Sequence, residues 1–342
     1  MASIAAVAEK AGVSPTTVSH ALSGNRKVSR EVKARVFAAM SQLDYVPRRS
    51  AQNLALGVTR ILALVVPDIG NGYFAELAKG VEHAAAERGY NIILCTTGFD
   101  HAREVQYLEM INSRAVDGIV YAAGVYAEGT PPTDVELRGL LNGMPLVFVD
   151  EEIEGTQFTA VVSDNAAGGR LAADHLLELG HQTALVISVA GDPVSSVRRN
   201  RGFLEVWTAA GGQVVHNNGG NFTEHSGRVI AEEHLTELAS GEVTAVFAHN
   251  DLMALGLMSA LRAREVRVPE DVSVIGFDDM PAVRYTYPAL TTIRQDAIAL
   301  GTMATTTIID WLESKRSMDG QQVLLPVELV ARDSTSQKAV RS

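Results

Sequence analysis

Several polar and aromatic side chains of this sequence are of the types that bind hydroxyl-rich molecules. Four carboxylate or amide groups fall at or just after the ends of apolar runs, where their oxygens can accept hydrogen bonds from hydroxyl groups. They are Asp68, Asp150, Asn250 and Asp278. Three aromatic side chains, Tyr73, Phe74 and Phe222, can stack against an apolar ligand face. Each residue has a structural alternative, because a strand-end Asp often caps the following helix and Phe222 can be a core residue.

Motifs of catalysis and of metal binding are absent from the sequence. There is no Gly-x4-Gly-Lys-Ser/Thr, no Gly-x-Gly-x-x-Gly after a strand, no His-Glu-x-x-His and no Gly-x-Ser-x-Gly. The histidines have no metal-ligand spacing, and the single cysteine, Cys95, excludes an internal disulfide and a multi-cysteine metal site. We therefore predict that the protein is not an enzyme and uses neither a cofactor nor a metal.

The elements that must position the polar residues alternate along the chain beyond residue 60. The apolar runs include residues 61–66, 91–95, 118–122 and 146–149 in a first set, and 184–189, 245–248 and 272–277 in a second. Helical stretches separate them, and this alternation predicts parallel sheets covered on both faces. Two sets indicate an α/β fold with two doubly wound lobes. Ligands of such sheets bind beyond the carboxyl ends of the strands, here in the cleft between the lobes.

The charge of the chain is divided unevenly along its length. The sequence of 342 residues has a formal net charge of −11, but residues 1–60 contain nine basic and three acidic side chains. This head therefore carries +6 and the remaining body −17. A basic head can bind a polyanion such as nucleic acid while an acidic body is repelled by it. A solvated basic surface is the alternative.

The basic head has the pattern of three short helices. Apolar residues at i, i+3, i+4 and i+7 over residues 4–11 form one stripe of a first helix. Gly12 allows a tight turn, and Ser14 can cap a second helix that begins at Pro15. A third helix starts after Ser29. Two helices joined by a short turn make a helix-turn-helix, whose second helix enters the major groove of DNA, and a plain helical bundle is the alternative.

The first 24 residues closely resemble the headpiece of the LacI/GalR family of bacterial transcriptional repressors. Residues 3–24 read SIAAVAEKAGVSPTTVSHALSG, and the match continues through Val28-Ser29, Tyr45-Val46-Pro47 and Ala51-Gln52-Asn53-Leu54-Ala55. The resemblance implies an operator-binding headpiece over residues 1–46. The residues that it implies to lie against bases or phosphates are Ser14, Pro15, Thr16, Thr17, Ser19, His20 and Arg26.

Residues 47–58 resemble the hinge of that family, with a hinge helix from Ser50 to Leu56. A helix of about seven residues is shorter than the ~12–15 at which an isolated helix becomes marginal in water, so it orders only against another surface. The resemblance supplies that surface, because the two hinge helices of a dimer pack in the DNA minor groove. Ala51 and Leu54 are then DNA contacts, and Leu54 is the apolar wedge that bends the duplex. A plain interdomain linker is the alternative.

The resemblance extends over residues 59–342 and implies an effector-binding and dimerisation domain of the periplasmic-binding-protein type. The expected bounds are about 59–160 and 291–321 for the first lobe, and about 161–290 and 322–342 for the second. Arg199, three residues before Gly202-Phe203, matches the cleft arginine of the family and can donate several hydrogen bonds at once. Relatives that bind purines have a further arginine in the preceding loop, which here reads Gly191-Asp192-Pro193-Val194-Ser195-Ser196.

These residues predict a sequence-specific transcriptional repressor whose operator affinity is controlled by a small molecule. Acceptors, one guanidinium and flat aromatic rings together suit a sugar or polyol. A corepressor-dependent regulator that binds a nucleoside or purine is the alternative, and a solute-binding protein or a sugar-metabolising enzyme is a weaker one. The resemblance implies a homodimer. A coiled-coil tetramer is not expected, because the residues near the C-terminus contain no leucine heptads. We expect a cytoplasmic protein that is nucleoid-associated when bound to DNA, because no export signal or span of ~20 apolar residues is present.

Overall fold

The computed structural model describes residues 3–23, 28–45, 58–111, 115–122, 139, 141, 143–150, 158–314 and 320–338. The chain divides into two compact units, Met1–Arg60 and Ile61–Ser342. Arg26 and the expected hinge contacts Ala51 and Leu54 lie outside the described residues. No helix of the described ranges combines the length and the apolarity needed to cross a membrane.

The first unit contains the three helices that the sequence pattern predicts. They are α1 (Ile4–Ala11), α2 (Pro15–Ser23) and α3 (Arg30–Gln42). Ser3 and Ser29 cap α1 and α3 by accepting hydrogen bonds from backbone N–H groups, and Gly12 ends α1 in the left-handed region with φ 65°. The apolar stripes meet in one core, in which Val7, Val18 and other small side chains are buried. Packing of three short helices on one another therefore fixes the exposed face of α2.

The second unit contains two lobes, each built on a parallel sheet. The elements of the first lobe are β1 (Ile61–Val66), α4 (Gly72–Glu87), β2 (Asn91–Thr96), α5 (His101–Met110), β3 (Gly118–Tyr121), β4 (Leu146–Val149), β5 (Thr159–Ser163), α11 (Ala297–Ser314) and β11 (Gln322–Leu325). Those of the second lobe are α6 (Asn165–Glu178), β6 (Thr183–Val189), α7 (Val194–Ala209), β7 (Gln213–Gly220), α8 (Glu224–Glu233), α9 (Leu235–Ser240), β8 (Ala245–Ala248), α10 (Asp251–Ala263), β9 (Ser273–Asp278), a 3-10 helix (Pro281–Tyr285), β10 (Thr291–Gln295) and β12 (Val327–Val330).

The described strands of each lobe form a six-stranded sheet. The strand order is β11-β5-β4-β3-β1-β2 in the first lobe and β12-β10-β9-β8-β6-β7 in the second. The neighbouring strands are parallel except β12, which runs antiparallel to β10. The central strands β4, β8 and β9 are buried along their whole length, as expected for apolar runs that helices cover on both faces. This architecture confirms the predicted α/β fold with two doubly wound lobes.

The sheet pairing corrects the expected lobe bounds at two strands. The bounds place β10 (Thr291–Gln295) in the first lobe and β11 (Gln322–Leu325) in the second. Instead, β10 pairs with β9 in the second lobe, and β11 pairs with β5 in the first. β5 itself pairs along its length with first-lobe strands, so that lobe extends beyond residue 160. The chain therefore crosses between the lobes after β5, after β10 and after β11, because each strand stays with the sheet that buries its apolar side chains.

Helices α6 and α7 approach each other unusually closely in the second lobe. A Cβ atom added to Gly169 would lie 2.1 Å from the carbonyl oxygen of Arg199, and one added to Gly202 would lie 2.0 Å from that of Ala166. Only glycine permits this reciprocal contact of the two backbones. The contact fixes the position of the first half of α7, from which Arg199 extends.

Candidate functional site

A cavity of about 480 Å³, partly open to solvent, lies between the two lobes beyond the carboxyl ends of their strands. Its described lining includes most of the residues that the sequence singles out as ligand contacts. These are Tyr73, Phe74, Asp150, Arg199, Phe222, Asn250 and Asp278. The first lobe supplies the first three of them, and the second lobe supplies the others. We call this space the interlobe cavity.

Arg199 is the most heavily bonded side chain of the interlobe cavity. Only 2% of the residue is exposed, and its guanidinium lies 3.8 Å above the centre of the Phe277 ring. Nε donates a hydrogen bond of 2.7 Å to Oδ1 of Asn165, and Nη1 donates to the backbone carbonyl of His249. Nη2 lies 3.5 Å from Oδ2 of Asp150, and Nη1 lies 4.0 Å from Oδ1 of Asp278. Protein acceptors therefore fix the planar guanidinium on several sides.

Asp150 and Asn165 form a polar connection between the lobes. Asp150 follows β4 of the first lobe, and Asn165 begins α6 directly after the first crossing of the chain. Asn165 Nδ2 lies 3.5 Å from Oδ1 of Asp150 and donates to the carbonyl oxygen of Ser163 at 3.2 Å. Burial raises the pKa of Asp150, and the positive charge of Arg199 partly opposes that increase. A ligand that binds Asp150 and Arg199 would therefore contact both lobes at this connection.

Asp278 is a buried acid at the end of β9. Gln295, the last residue of β10, donates a hydrogen bond of 2.6 Å from Nε2 to Oδ1 of Asp278. Burial raises the pKa of Asp278 to about 7, although Arg199 and the Gln295 hydrogen bond both lower it. A carboxylate with such a pKa is a strong acceptor for a ligand hydroxyl when it is ionised.

Aromatic side chains also line the interlobe cavity. The rings of Tyr73 and Phe74 are in edge-to-face contact with centroids 5.1 Å apart. Burial raises the pKa of Tyr73 well above its usual value, and the negative charges of Asp150 and Asp278 raise it further. Phe222 lies across the cavity with a φ of 63°. These rings offer flat apolar faces beside the polar groups.

Two of the predicted strand-end residues have structural partners. Asn250 lines the interlobe cavity, but its Oδ1 accepts the N–H of Met253 and its Nδ2 donates to the carbonyl of Phe222, both at 3.0 Å. It therefore caps α10 as well. Asp68 is not among the lining residues: it is exposed, and its Oδ1 accepts the N–H of Gly70 at 2.8 Å. The geometry thus does not bring Asp68 into the cavity, because the carboxylate closes a local turn.

Four further polar or aromatic residues of the cavity lining were not predicted. They are Asn71, Phe99, Ser195 and Gln295. Gln295 ends a strand, so the strand-end rule that selects Asp278 also applies to it. Asn71 caps α4 by accepting the N–H of Tyr73 at 3.0 Å, a cap that its position before a helical pattern indicates. Phe99 reaches the cavity from a turn with φ 60°, and no pattern in the sequence indicates that conformation.

The second helix of the N-terminal unit presents hydroxyl groups on its exposed side. Ser14 Oγ accepts the N–H of Thr17 at 3.1 Å and lies 2.9 Å from its hydroxyl. The predicted DNA contacts Ser14, Pro15 and Thr16 are exposed, and Thr17, Ser19 and His20 are half-buried. Val18 is fully buried in the core. Ser14, Pro15 and Thr16 are therefore accessible to a ligand such as DNA, whereas Thr17, Ser19 and His20 are only partly accessible.

A helix-turn-helix unit joined to a two-lobed ligand-binding unit defines the chain as a ligand-responsive DNA-binding regulator. Residues 3–48 match the bacterial regulatory proteins of the lacI family, and residues 173–335 match the periplasmic binding protein-like domain. The repressor PurR of Serratia proteamaculans is 35% identical over 342 residues, which cover 98% of this chain and 97% of PurR. The chain belongs to the LacI family and is a DNA-binding transcriptional repressor with a ligand-binding domain.

Solved structures are similar to the whole chain or to a large part of it. The lac repressor dimer bound to operator and an anti-inducer superposes with a TM-score of 0.84 at 26% identity, covering 98% of this chain and 99% of that one. A LacI family regulator from Enterococcus faecalis with bound ribose superposes with a TM-score of 0.73 at 31% identity, covering 82% of this chain and all of the other. The relatives are thus transcriptional regulators.

Proposed function

We propose that this chain is a homodimeric, cytoplasmic repressor whose operator affinity is controlled by a sugar or polyol bound in the interlobe cavity. The proposed domains are the headpiece at 1–46, the hinge at 47–58 and the effector-binding and dimerisation domain at 59–342. Neither catalysis nor a cofactor is part of this function.

The side chains that line the interlobe cavity support a sugar or polyol as the effector. Buried carboxylates, a fixed guanidinium and aromatic faces converge in one space between the lobes, and a few polar groups among apolar side chains are typical of small-ligand sites. Each hydroxyl of a sugar can both donate and accept, so it can donate to Asp150 or Asp278 and accept from Arg199. The apolar face of a sugar ring packs against Tyr73 or Phe222. Ribose in the Enterococcus faecalis relative is consistent with a ligand of this kind.

A purine or nucleoside corepressor is the second candidate. A flat base would stack on Phe74 and Phe222, and a relative 35% identical to the chain is named PurR. However, the loop from Gly191 to Ser196 contains no arginine that could hold a base edge. Two buried carboxylates also suit several donating hydroxyls better than a base with few donors. We therefore favour the sugar or polyol.

The DNA-binding half of the proposal rests on α2 and the hinge. The exposed hydroxyls of α2 would lie against bases and phosphates, with His20 and Arg26 beside them. The hinge, including Ala51 and Leu54, would order only in the minor groove because so short a helix is unstable alone. Closure of the lobes on an effector would change the spacing of the two hinges and thereby the operator affinity.

Exposed apolar side chains on both lobes support the homodimer. Ile93 and Leu94 lie on β2, which is an edge strand, and Met110 lies on the adjacent α5. On the second lobe, 87% of Tyr285 and 90% of Tyr287 are exposed. Edge strands and large exposed aromatic residues are typical of surfaces that another chain covers. The lac repressor, with the same two-unit organisation, crystallises with operator as a dimer.

Selection of DNA from a random duplex library tests the function. The full chain should select a nearly palindromic site, and its affinity should fall steeply with salt because bound counterions are released. A thermal-shift panel of sugars, polyols, nucleosides and purine bases then identifies the effector by the stability that it adds. The selected ligand should change operator affinity in a fluorescence anisotropy titration. Recovery of no preferred sequence would contradict the repressor proposal.

A further inference from the structure

The charge balance of the interlobe cavity points to the ionic state of the effector. Among the described lining residues, Arg199 is the only cation, whereas Asp150 and Asp278 are both acids. All three are buried from solvent or nearly so, with side-chain exposures of 2%, 14% and 5%. With both acids ionised, the cavity therefore has one negative charge more than it has positive charges.

Protein groups already surround the guanidinium of Arg199 on three sides. Nε donates to Asn165, and Nη1 donates to the carbonyl of His249. Nη2 is within 3.5 Å of Asp150. A guanidinium has five N–H donors, and a phosphate needs several of them arranged as a fork. Nη2 lies 3.5 Å from Asp150 and Nη1 lies 4.0 Å from Asp278, so a phosphate that bound this fork would lie beside both carboxylates.

Two side-chain amides of the cavity lining are also engaged. Gln295 Nε2 donates to Asp278, and Asn250 Nδ2 donates to the carbonyl of Phe222. The N-terminus of α7 is the feature that favours an anion, since Pro193 provides no side-chain cap. The partial charge of a helix end is about +0.5, which is smaller than the full charge of either carboxylate. The acids therefore dominate the local field, which is negative. Burial is the main cause of the raised pKa of Tyr73, and the charges of Asp150 and Asp278 raise it further.

We propose that the interlobe cavity selects an uncharged, unphosphorylated polyhydroxyl effector and rejects phosphorylated or carboxylated forms of the same molecule. This inference rests on the proposed sugar or polyol ligand. Hydroxyl groups donate to Asp150 and Asp278 without adding charge, whereas a phosphate brings up to two negative charges beside them. Repulsion in a buried site is poorly screened by salt.

Matched pairs of ligands test the inference on the full chain at pH 8, where Asp278 is ionised. The probes are D-ribose with D-ribose 5-phosphate, D-glucose with D-glucose 6-phosphate and D-glucuronate, and the purine bases. Thermal shifts and titration calorimetry give the affinities. The neutral member of the binding pair should bind at least about 100-fold more tightly, which corresponds to about 2.8 kcal/mol at 1.4 kcal/mol per tenfold.

The outcomes separate the inference from the proposed function. A phosphate or sugar acid that binds as tightly as its neutral parent overturns the inference but leaves the sugar assignment intact. A purine base that binds while no sugar does overturns both the sugar assignment and the selection of a polyhydroxyl effector. Binding of nothing in the panel contradicts both.

A charge-neutral variant distinguishes electrostatic rejection from exclusion by size. Asp278→Asn keeps the shape and removes one negative charge, so the preference for the neutral ligand should shrink at least about tenfold. Asp174→Asn makes the same change at an exposed position on α6 and should leave the preference unaltered. An unchanged preference in Asp278→Asn would show that size alone excludes the phosphate, and it would overturn the inference.

Discussion

Replacement of Asp278 by Asn should stabilise the ligand-free protein, and the gain should depend on pH. The side chain is buried, and its pKa is about 7 in the folded protein, against 3.8 for an ordinary Asp. A raised folded pKa means that the folded state holds a proton that the unfolded state has lost between these two values. Stability of the wild type therefore falls as pH rises from about 4 to about 7, and Asn removes this contribution.

The expected size follows from the displacement of the pKa. A shift of about three units corresponds to about 4 kcal/mol at 1.36 kcal/mol per unit, and this is an upper limit. Asn can still accept the hydrogen bond that Gln295 donates, and it has nearly the same shape as the Asp that already adopts the positive φ of 121° at this position. At pH 4.5, where most of the unfolded Asp278 is already ionised, the variant should be more stable by only about 1 kcal/mol. At pH 8 the variant should be more stable by about 2–4 kcal/mol.

Urea denaturation of both proteins at several pH values measures this difference. The two tryptophans report both lobes, since Trp207 is buried in α7 and Trp311 lies in α11. Asp251, whose pKa burial and the charge of Asp278 raise, makes the wild type and the variant pH-dependent in the same direction. The difference between the two curves is therefore the informative quantity. Parallel curves from pH 4.5 to pH 8 would refute the assignment of Asp278 as a destabilised acid.

Three further substitutions test other parts of the structure. Arg199→Ala should abolish the effector response in an operator-binding assay while operator affinity without effector stays intact, and retained induction would contradict its role. Gly202→Ala should lower the free energy of unfolding by about 1–3 kcal/mol, because its Cβ would meet the Ala166 carbonyl at 2.0 Å; wild-type stability in urea would contradict the close approach of α6 and α7. Leu54→Ala should weaken operator binding and leave effector affinity nearly unchanged. An unaltered gel shift would contradict the role of Leu54 as a wedge in the DNA minor groove.

Local patterns in the sequence predict most of the fold because each pattern has one dominant physical cause. The stripe over residues 4–11, the cap at Ser14 and the turn at Gly12 correspond directly to the observed helices. The buried runs at Ile61–Val66 and Ala245–Ala248 have the predicted bounds. The lobe bounds were less predictable, because the pairing of β10 and β11 depends on which sheet covers each strand rather than on its own residues.

The sequence predicts the cavity residues that follow the ends of strands. It does not predict the residues that reach the cavity through an unusual backbone conformation. Asp150 and Asp278 follow that rule, and Gln295 obeys it as well. Asp68 follows it too, yet its carboxylate is used by the N–H of Gly70. A strand-end acid lines the cavity only when no neighbouring turn offers its carboxylate a closer N–H donor. The apolar pattern of the strand does not contain that information.

The same cavity concentrates backbone strain. Four of its lining residues, Phe99, Asp150, Phe222 and Asp278, have positive φ angles although none is glycine. Each such residue lowers stability by about 1–3 kcal/mol in a position that only surrounding structure can hold. Asp278 adds a buried charge at the same point. Strain and charge thus coincide where side chains must be aimed into the cleft, and this explains why local rules fail there. A ligand whose hydroxyl groups donate to both acids would relieve part of the free-energy cost of their buried charge. The ligand should therefore stabilise the closed cleft.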